Sequence, residues 1–327
     1  MLKELSVEIT RKCPNCCLHC SSSSNKNCNE KMPYDKFKEI VLDAKELGAN
    51  TVCLSGGEPF LHSEIVQMID FVHSCKLNCY VYTSGIVFDE FGATSSFPKE
   101  LIKHISGKVT KLIFNIEAGT EETYDKIMCT KNCFEKMKRS ICDVVQAGIC
   151  AEAHFVPMAT NIEEIDKVIS LCKKMNISKL SFLRLVLHGR ALQNEETIGL
   201  SMEQYQKLRT HLFKIQNQSD VSIRIGVPLA LESSCHKCEA AKGKLNIKYD
   251  GEVFPCEVFK NYSMNSSFKD VKPDNIYEKS LLDIYRNSKY LQFVRNVEKQ
   301  FLDMKCCENC VGQYLMKLEK KGKNNND

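Results

Sequence analysis

Cys13, Cys17 and Cys20 fall close together in Cys13-Pro14-Asn15-Cys16-Cys17-Leu18-His19-Cys20, just after an apolar stretch ending at Thr10. Three thiolates at C-x3-C-x2-C spacing suit an iron–sulfur cluster. A four-iron cluster with three protein ligands keeps one iron open, and an open coordination position separates a metal that reacts from one that only braces a fold. Cys16 leaves a second reading, because Cys13-x2-Cys16 also suits zinc. Further on, the chain reads Leu54-Ser55-Gly56-Gly57-Glu58-Pro59, again after an apolar run. Two glycines let the backbone approach a ligand closely. A carbonyl and a carboxylate there can accept hydrogen bonds from a cation.

A second group of cysteines lies near the C-terminus. Cys238-x12-Gly251-x4-Cys256 frames a segment, Leu245 to Val253, that reads as a hairpin turning at Asp250-Gly251. Cys307-x2-Cys310 follows after a helix containing Leu281, Ile284 and Tyr285. The pairs Cys235-x2-Cys238 and Cys307-x2-Cys310 fit a zinc ribbon, which would leave Cys256 unused. Cys235 or Cys306 can replace a neighbouring ligand or serve as a free thiol.

These motifs need a scaffold, and the chain between them alternates strand and helix patterns. Strands are predicted at Leu5–Thr10, Thr51–Ser55, Cys79–Thr83, Leu112–Ile116, Cys150–Val156 and Leu180–Leu187. Helical faces fall between them: Phe37, Ile40, Val41, Ala44 and Leu47, closed by Gly48; Ile65, Met68, Ile69 and Val72; Met137, Ile141, Val144 and Val145, closed by Gly148; and Ile162, Ile165, Val168, Ile169 and Cys172. A further helix is predicted over 201–216. Six βα units predict a parallel sheet with helices outside, curling into a partial barrel (β/α)6. Sites in such folds lie at the C-terminal ends of strands, where both motifs fall. The alternation stops after 226. The expected organisation is a partial barrel over 1–226, a small cysteine-rich segment over 227–315 and a polar tail over 316–327.

The chain has 327 residues, 43% of them apolar, enough for one large domain and a smaller one. A net charge of +4 is too small to point to nucleic acid. No apolar run reaches the length of a membrane span, and no signal-peptide pattern opens the chain. A cytoplasmic protein is expected, with no nucleic-acid or membrane partner. Nineteen cysteines then argue for metal or redox chemistry rather than disulfides. Cys142, Cys150 and Cys172 read as small buried hydrophobes.

The succession of strand, cysteine loop, helix, strand, Gly-Gly-Glu-Pro and helix resembles the radical S-adenosylmethionine (SAM) enzymes. The cysteines after residue 235 resemble the auxiliary-cluster region of their SPASM/twitch-type subgroup, in the shorter twitch form. The resemblance implies that Cys13, Cys17 and Cys20 hold a [4Fe–4S] cluster whose fourth iron SAM chelates. It implies an auxiliary [4Fe–4S] cluster on Cys238, Cys256, Cys307 and Cys310. Gly56, Gly57, Glu58 and Pro59 match the stretch that receives the SAM ammonium. Ser84, in Thr83-Ser84-Gly85, matches a small polar residue at the methionine or ribose. Asn115 and Glu117 match positions beside SAM, and His19 matches an aromatic that packs on adenine. Many relatives carry Arg-Gly shortly after the equivalent of Tyr124-Asp125. Here Met128-Cys129 follows. Leu187-His188-Gly189-Arg190-Ala191 resembles a Gly-Arg-Ala stretch after the sixth strand, read as a site-facing loop.

The activity so implied is reductive cleavage of SAM to a 5′-deoxyadenosyl radical that abstracts hydrogen from a substrate. The favoured substrate is a ribosomally synthesised peptide, matured by crosslinking, thioether formation or epimerisation. The alternatives are a small-molecule oxidase, acting on a sugar or aminocyclitol, and a non-catalytic iron–sulfur sensor. The implied partners are a flavodoxin or ferredoxin as electron donor, with its reductase. The first strand starts at Leu5, so no N-terminal leader-peptide-binding domain is expected; that task can fall to a separate leader-peptide-binding protein or be dispensed with.

Overall fold

The structure is a computed structural model and describes residues 1–226, 229, 238–260, 271–303, 310–312 and 314–315. The expected junction at 227, the tail from 316, and Cys235, Cys306 and Cys307 lie outside the described residues.

In chain order the strands are β1 (Glu4–Thr10), β2 (Thr51–Gly56), β3 (Asn78–Thr83), β4 (Val87–Phe88), β5 (Thr94–Ser95), β6 (Lys111–Asn115), β7 (Ala151–Phe155), β8 (Lys179–Phe182), β9 (Ser222–Ile225), β10 (Lys244–Ile247) and β11 (Val253–Phe254). The helices are α1 (Tyr34–Glu46), α2 (Ile65–Ser74), α3 (Lys99–Ile105), α4 (Glu121–Met128), α5 (Phe134–Gln146), α6 (Ile165–Lys174), α7 (Arg190–Gln193), α8 (Glu195–Ile198), α9 (Met202–Gln216), α10 (Leu281–Asn287) and α11 (Lys289–Asp303). Nine strands form one sheet in the order β11-β10-β1-β2-β3-β6-β7-β8-β9, and β4 pairs with β5 separately. All neighbours in the large sheet are parallel except β10 and β11. No helix among the described residues is long and apolar enough to cross a membrane.

Alternation along each strand gives the sheet two unlike faces. Leu5, Val7, Val52, Leu54, Val81 and Phe114 point one way and are fully buried. They pack beneath α1, α2 and the other helices, whose apolar stripes are those read from sequence. Each such side chain contributes about 1.5–3 kcal/mol by leaving water. The opposite face is polar: Ser6 and Glu8 of β1, Ser55 of β2, Tyr82 of β3 and His154 of β7 project there. Buried parallel strands usually read as unbroken apolar runs, so this polar face marks the side on which chemistry can occur.

All six predicted strands and the helix over 201–216 are present. That helix opens with Ser201, whose side chain and Gln204 cap each other's backbone N–H. Gly48 and Gly148 take the left-handed conformation that closes a helix, with φ of 97° and 75°. The sheet is wider than six strands, however. Short β9 extends one edge, and the predicted hairpin forms as β10–β11 and extends the other. β10 runs parallel to β1 from Glu4↔Lys244 to Val7↔Ile247. The cysteine-rich segment is thereby hydrogen-bonded to the strand that feeds the first cysteine loop.

Two expectations are corrected. The sixth strand stops at Phe182 instead of Leu187, because its neighbour β9 ends at Ile225 and offers no further ladder. The residues beyond are released as a loop. Cys150 is exposed, not a buried hydrophobe; it precedes β7 at the sheet rim, with its sulfur 3.5 Å from Ser178 Oγ. Cys172 is fully buried as read, and Cys142 is half-buried.

Candidate active site

The first cysteine loop leaves the C-terminal end of β1. Backbone bonds hold it on both flanks: Cys13 N–H donates to Asn25 O (3.1 Å), Cys16 N–H to Met128 O (3.1 Å) and Leu18 N–H to Ile127 O (2.9 Å). Cys13 is buried, Cys17 and Cys20 half-buried, and Cys16 exposed. Burial pushes the Cys13 thiol well up, with Glu58 and Cys20 adding to it. Burial does the same to Cys17, where Cys13 and Cys20 add. The Arg190 charge opposes the rise at both. Cys20 thus acts on both Cys13 and Cys17, and Cys13 on Cys17, while Cys16 lies exposed.

Gly56 and Gly57 lie against the start of this loop. Gly57 N–H donates to Thr10 O at 2.6 Å, and Glu58 N–H to Lys12 O at 2.8 Å. A Cβ at Gly56 would sit 2.2 Å from Thr10 O, and one at Gly57 would sit 2.4 Å from Lys12 O and 2.6 Å from Arg11 O. Both obstacles are backbone. The glycines are thus required for β2 to close on the cysteine loop. Pro59 opens a short 3-10 turn, Pro59–Leu61, that directs the chain into α2.

Glu58 is fully buried and points inward. Its carboxylate accepts from Thr83 Oγ1 (2.7 Å), from Ser84 N–H (2.8 Å) and Oγ (2.7 Å), and from Phe60 N–H (3.3 Å). Burial raises its pKa to about 7 against the pull of these donors. The Ser84 hydroxyl, also buried, is committed to this carboxylate. Both side chains tie the end of β2 to the end of β3.

Asn115 ends β6, and Glu117 follows two residues later. Glu117 is fully buried, and one of its oxygens accepts from Val156 N–H at 2.9 Å. The other, Oε1, lies 3.4 Å from His19 Nε2, too poorly aligned for a hydrogen bond. Among the described residues, Glu117 Oε1, His19 Nδ1 and both amide atoms of Asn15 are buried polar atoms without partners. Native structures seldom leave such atoms unpaired. Three thiols within mutual reach, ringed by these unpartnered atoms, fit a site built around an iron–sulfur cluster and a polar ligand. No three His, Cys, Asp or Glu side chains among the described residues converge at single-ion spacing. A cubane spreads its irons and asks for thiolates further apart than the ligands of one ion.

Near the C-terminus, Cys238, Cys256 and Cys310 are half-buried. Burial pushes the Cys256 thiol up, and Cys310 and Cys238 push it further, so the three come together. Cys307 lies outside the described residues. Four residues on, Lys260 is buried and donates to Ser22 Oγ (2.6 Å) and to Glu8. Burial works against its charge, yet Glu8 and Glu257 outweigh it and its pKa rises. Glu257 accepts from Ser6 Oγ (2.9 Å) and Asn246 Nδ2, and burial raises its pKa against the pull of Lys260. This buried Glu8–Lys260–Glu257 group joins the two cysteine regions. Sequence reading missed it. Its one signal was the polar alternation of β1, Ser6-Val7-Glu8, inside a run otherwise read as core.

On the polar face, the rings of Tyr82 and His154 lie 5.4 Å apart. Burial lowers the His154 pKa to about 3, with Arg224, Lys111 and Lys244 assisting, so its imidazole is neutral.

Residues 7–172 match the family model described as the Radical SAM superfamily, and residues 235–311 the one described as an iron-sulfur cluster-binding domain, SPASM. A PqqA peptide cyclase of Rhizobium meliloti (strain 1021) is 24% identical over 311 residues, spanning 92% of this chain and 80% of that protein. An AdoMet-dependent heme synthase of Methanosarcina barkeri is 21% identical over 329 residues, spanning 93% and 88%. Streptococcus suis SuiB bound to S-adenosylmethionine shares the fold, with a TM-score of 0.71 and 15% identity over 91% of this chain and 68% of that one. The same fold is seen in SuiB bound to its precursor peptide SuiA, with a TM-score of 0.71 and 16% identity over 90% and 67%.

Proposed function

This chain belongs to the radical SAM superfamily and carries its SPASM-type cysteine segment; from that premise we propose that it matures a peptide. Cys13, Cys17 and Cys20 would hold the [4Fe–4S] cluster to which SAM binds. Cys238, Cys256 and Cys310, with Cys307, would hold an auxiliary one. A reduced cluster held by Cys13, Cys17 and Cys20 would supply the electron for reductive cleavage of SAM, and through it the hydrogen-atom abstraction from substrate.

The chain's own residues do the positioning. Gly56 and Gly57 fix the β2 end against the cysteine loop, leaving backbone groups at the SAM ammonium. Glu58 and Ser84 act from behind, holding the β3 end still. Asn115, Glu117 and His19 would face SAM, with Glu117 Oε1 and His19 Nδ1 supplying polar atoms that have no hydrogen-bond partner among the described residues. The polar face of the sheet would receive substrate, where neutral His154 and the Tyr82 ring can pack or accept a hydrogen bond without adding charge.

The observation carrying this reading is the convergence of the three loop thiols, ringed by unpartnered polar atoms, at the mouth of a sheet with one polar face. The peptide substrate is supported by the relatives named for peptides. A small-molecule substrate is the second reading, because the heme synthase relative aligns over 93% of this chain. A flavodoxin or ferredoxin would deliver the electron, and a separate protein could present a peptide leader.

The test uses anaerobically reconstituted protein, dithionite, SAM and the short peptide encoded beside its gene. Formation of 5′-deoxyadenosine with a change in peptide mass supports the proposal. 5′-Deoxyadenosine formed with every such peptide unchanged would overturn the peptide reading and leave the small-molecule one. No SAM cleavage at all would count against both.

A further inference from the structure

The loop released at the end of β8 touches both cysteine regions. His188 Nε2 lies 3.0 Å from Val258 O, two residues past Cys256. Arg190 turns the other way: its Nε donates to Cys17 O at 2.9 Å and its Nη2 to Ser24 O at 2.8 Å. Arg190 N–H donates to Cys20 O at 3.0 Å. Asn194, one helical turn on, donates to Leu18 O at 3.1 Å. Gly189 is the hinge, at φ of 55°, and a Cβ there would lie 2.8 Å from Cys20 O and 2.6 Å from Ser21 O.

These bonds bridge 166 to 176 residues of sequence. They are more than a brace. A guanidinium stays protonated at any working pH. Here it is bonded to the carbonyl of one thiol-bearing residue, and its backbone to that of another, so its charge is fixed within a residue's length of the sulfurs. Reduction adds one negative charge to a cluster, and a fixed cation in a partly buried site stabilises the more negative state. Lys260 reaches the same loop through Ser22, but Glu8 and Glu257 neutralise it. Among the described residues no carboxylate pairs with Arg190, whose guanidinium bonds are to two carbonyls.

Resting on the radical SAM reading, we propose that Arg190 is a positioning residue that holds the cysteine loop and raises the reduction potential of the cluster on Cys13, Cys17 and Cys20. The measurement is a potentiometric titration of the reconstituted full chain, followed by electron paramagnetic resonance, with the site cluster identified by the change SAM causes in its signal. The variants are Arg190→Met, Arg190→Gln and Arg190→Lys. Lys207→Met, removing an exposed α9 cation, is the control. Loss of the charge should shift the one-electron equilibrium of the site cluster at least tenfold toward the oxidised form, about 59 mV. Lys should retain most of the wild-type midpoint, and the control all of it. A neutral variant holding wild-type iron at an unchanged midpoint would overturn the proposal. Where Met prevents loading, Lys against Gln decides, and equal midpoints overturn it. A wild-type protein with no SAM-responsive signal would fail the radical SAM reading instead, and remove this proposal with it.

Discussion

Ser84 gives Glu58 two hydrogen bonds, one from its backbone N–H at 2.8 Å and one from its hydroxyl at 2.7 Å, and so joins the ends of adjacent strands β2 and β3. The carboxylate of the Gly-Gly-Glu-Pro motif is held to the end of β3 by these bonds and by one from Thr83 Oγ1.

The Glu58 pKa, raised by burial to about 7 in the folded chain, implies a pH dependence. A carboxyl with a folded pKa above its unfolded one contributes stability that is fully present below the unfolded value, near 4.5, and lost as pH rises through the folded value. The apoprotein should lose about 3 kcal/mol from this group between these limits. Glu58→Gln should lower stability by about 1–3 kcal/mol at pH 5 and flatten that part of the profile. Chemical denaturation of both proteins at several pH values checks this; parallel profiles would contradict it.

Gly57→Ala should damage the cluster loop itself. Its Cβ would meet the backbone oxygens of Lys12 and Arg11 at 2.4 and 2.6 Å, and neither can rotate away. Reconstituted Gly57→Ala should hold well under half of the iron that wild-type Cys13, Cys17 and Cys20 retain. Ser84→Ala, which removes one hydroxyl, should load normally and cost about 1–2 kcal/mol of stability. Iron and sulfide assays with thermal melts separate the two.

Cluster content should be additive. Wild type should reconstitute to about eight irons, and the triple Cys13→Ala, Cys17→Ala, Cys20→Ala variant to about four. Cys256→Ala should also hold about four, yet still cleave SAM while failing to form final product. Four irons with one zinc in wild type would favour the zinc ribbon. Full turnover by Cys256→Ala would make the second centre structural.

Glu117 and His19 offer unpartnered polar atoms toward the loop thiols. Glu117→Gln keeps the shape and removes the charge. SAM binding should weaken about tenfold or more, as loss of a charged hydrogen bond worth about 1.5–3 kcal/mol requires. Calorimetry on the oxidised, loaded protein measures it, and unchanged affinity would remove Glu117 from the ligand set.

Sequence alone carries the scaffold and the cysteine loop. Six strands, their helices, Gly48 and Gly148 at helix ends, and the C-x3-C-x2-C loop are local signals, set by side-chain period, by glycine at left-handed positions and by thiols only a few residues apart. The hairpin about Asp250-Gly251 was legible for the same reason. Tertiary structure alone decided where these pieces meet. β10 could have paired elsewhere, and its register against β1 brings the segment carrying Cys256 and Lys260 to the first cysteine loop. The inward turn of Glu58, the burial of Lys260 between Glu8 and Glu257, and the reach of Arg190 to Cys17 across 173 residues have no period or spacing to announce them. Each is a contact between distant segments, fixed when the sheet buries its apolar face and the polar groups left on the other side must find partners in one another.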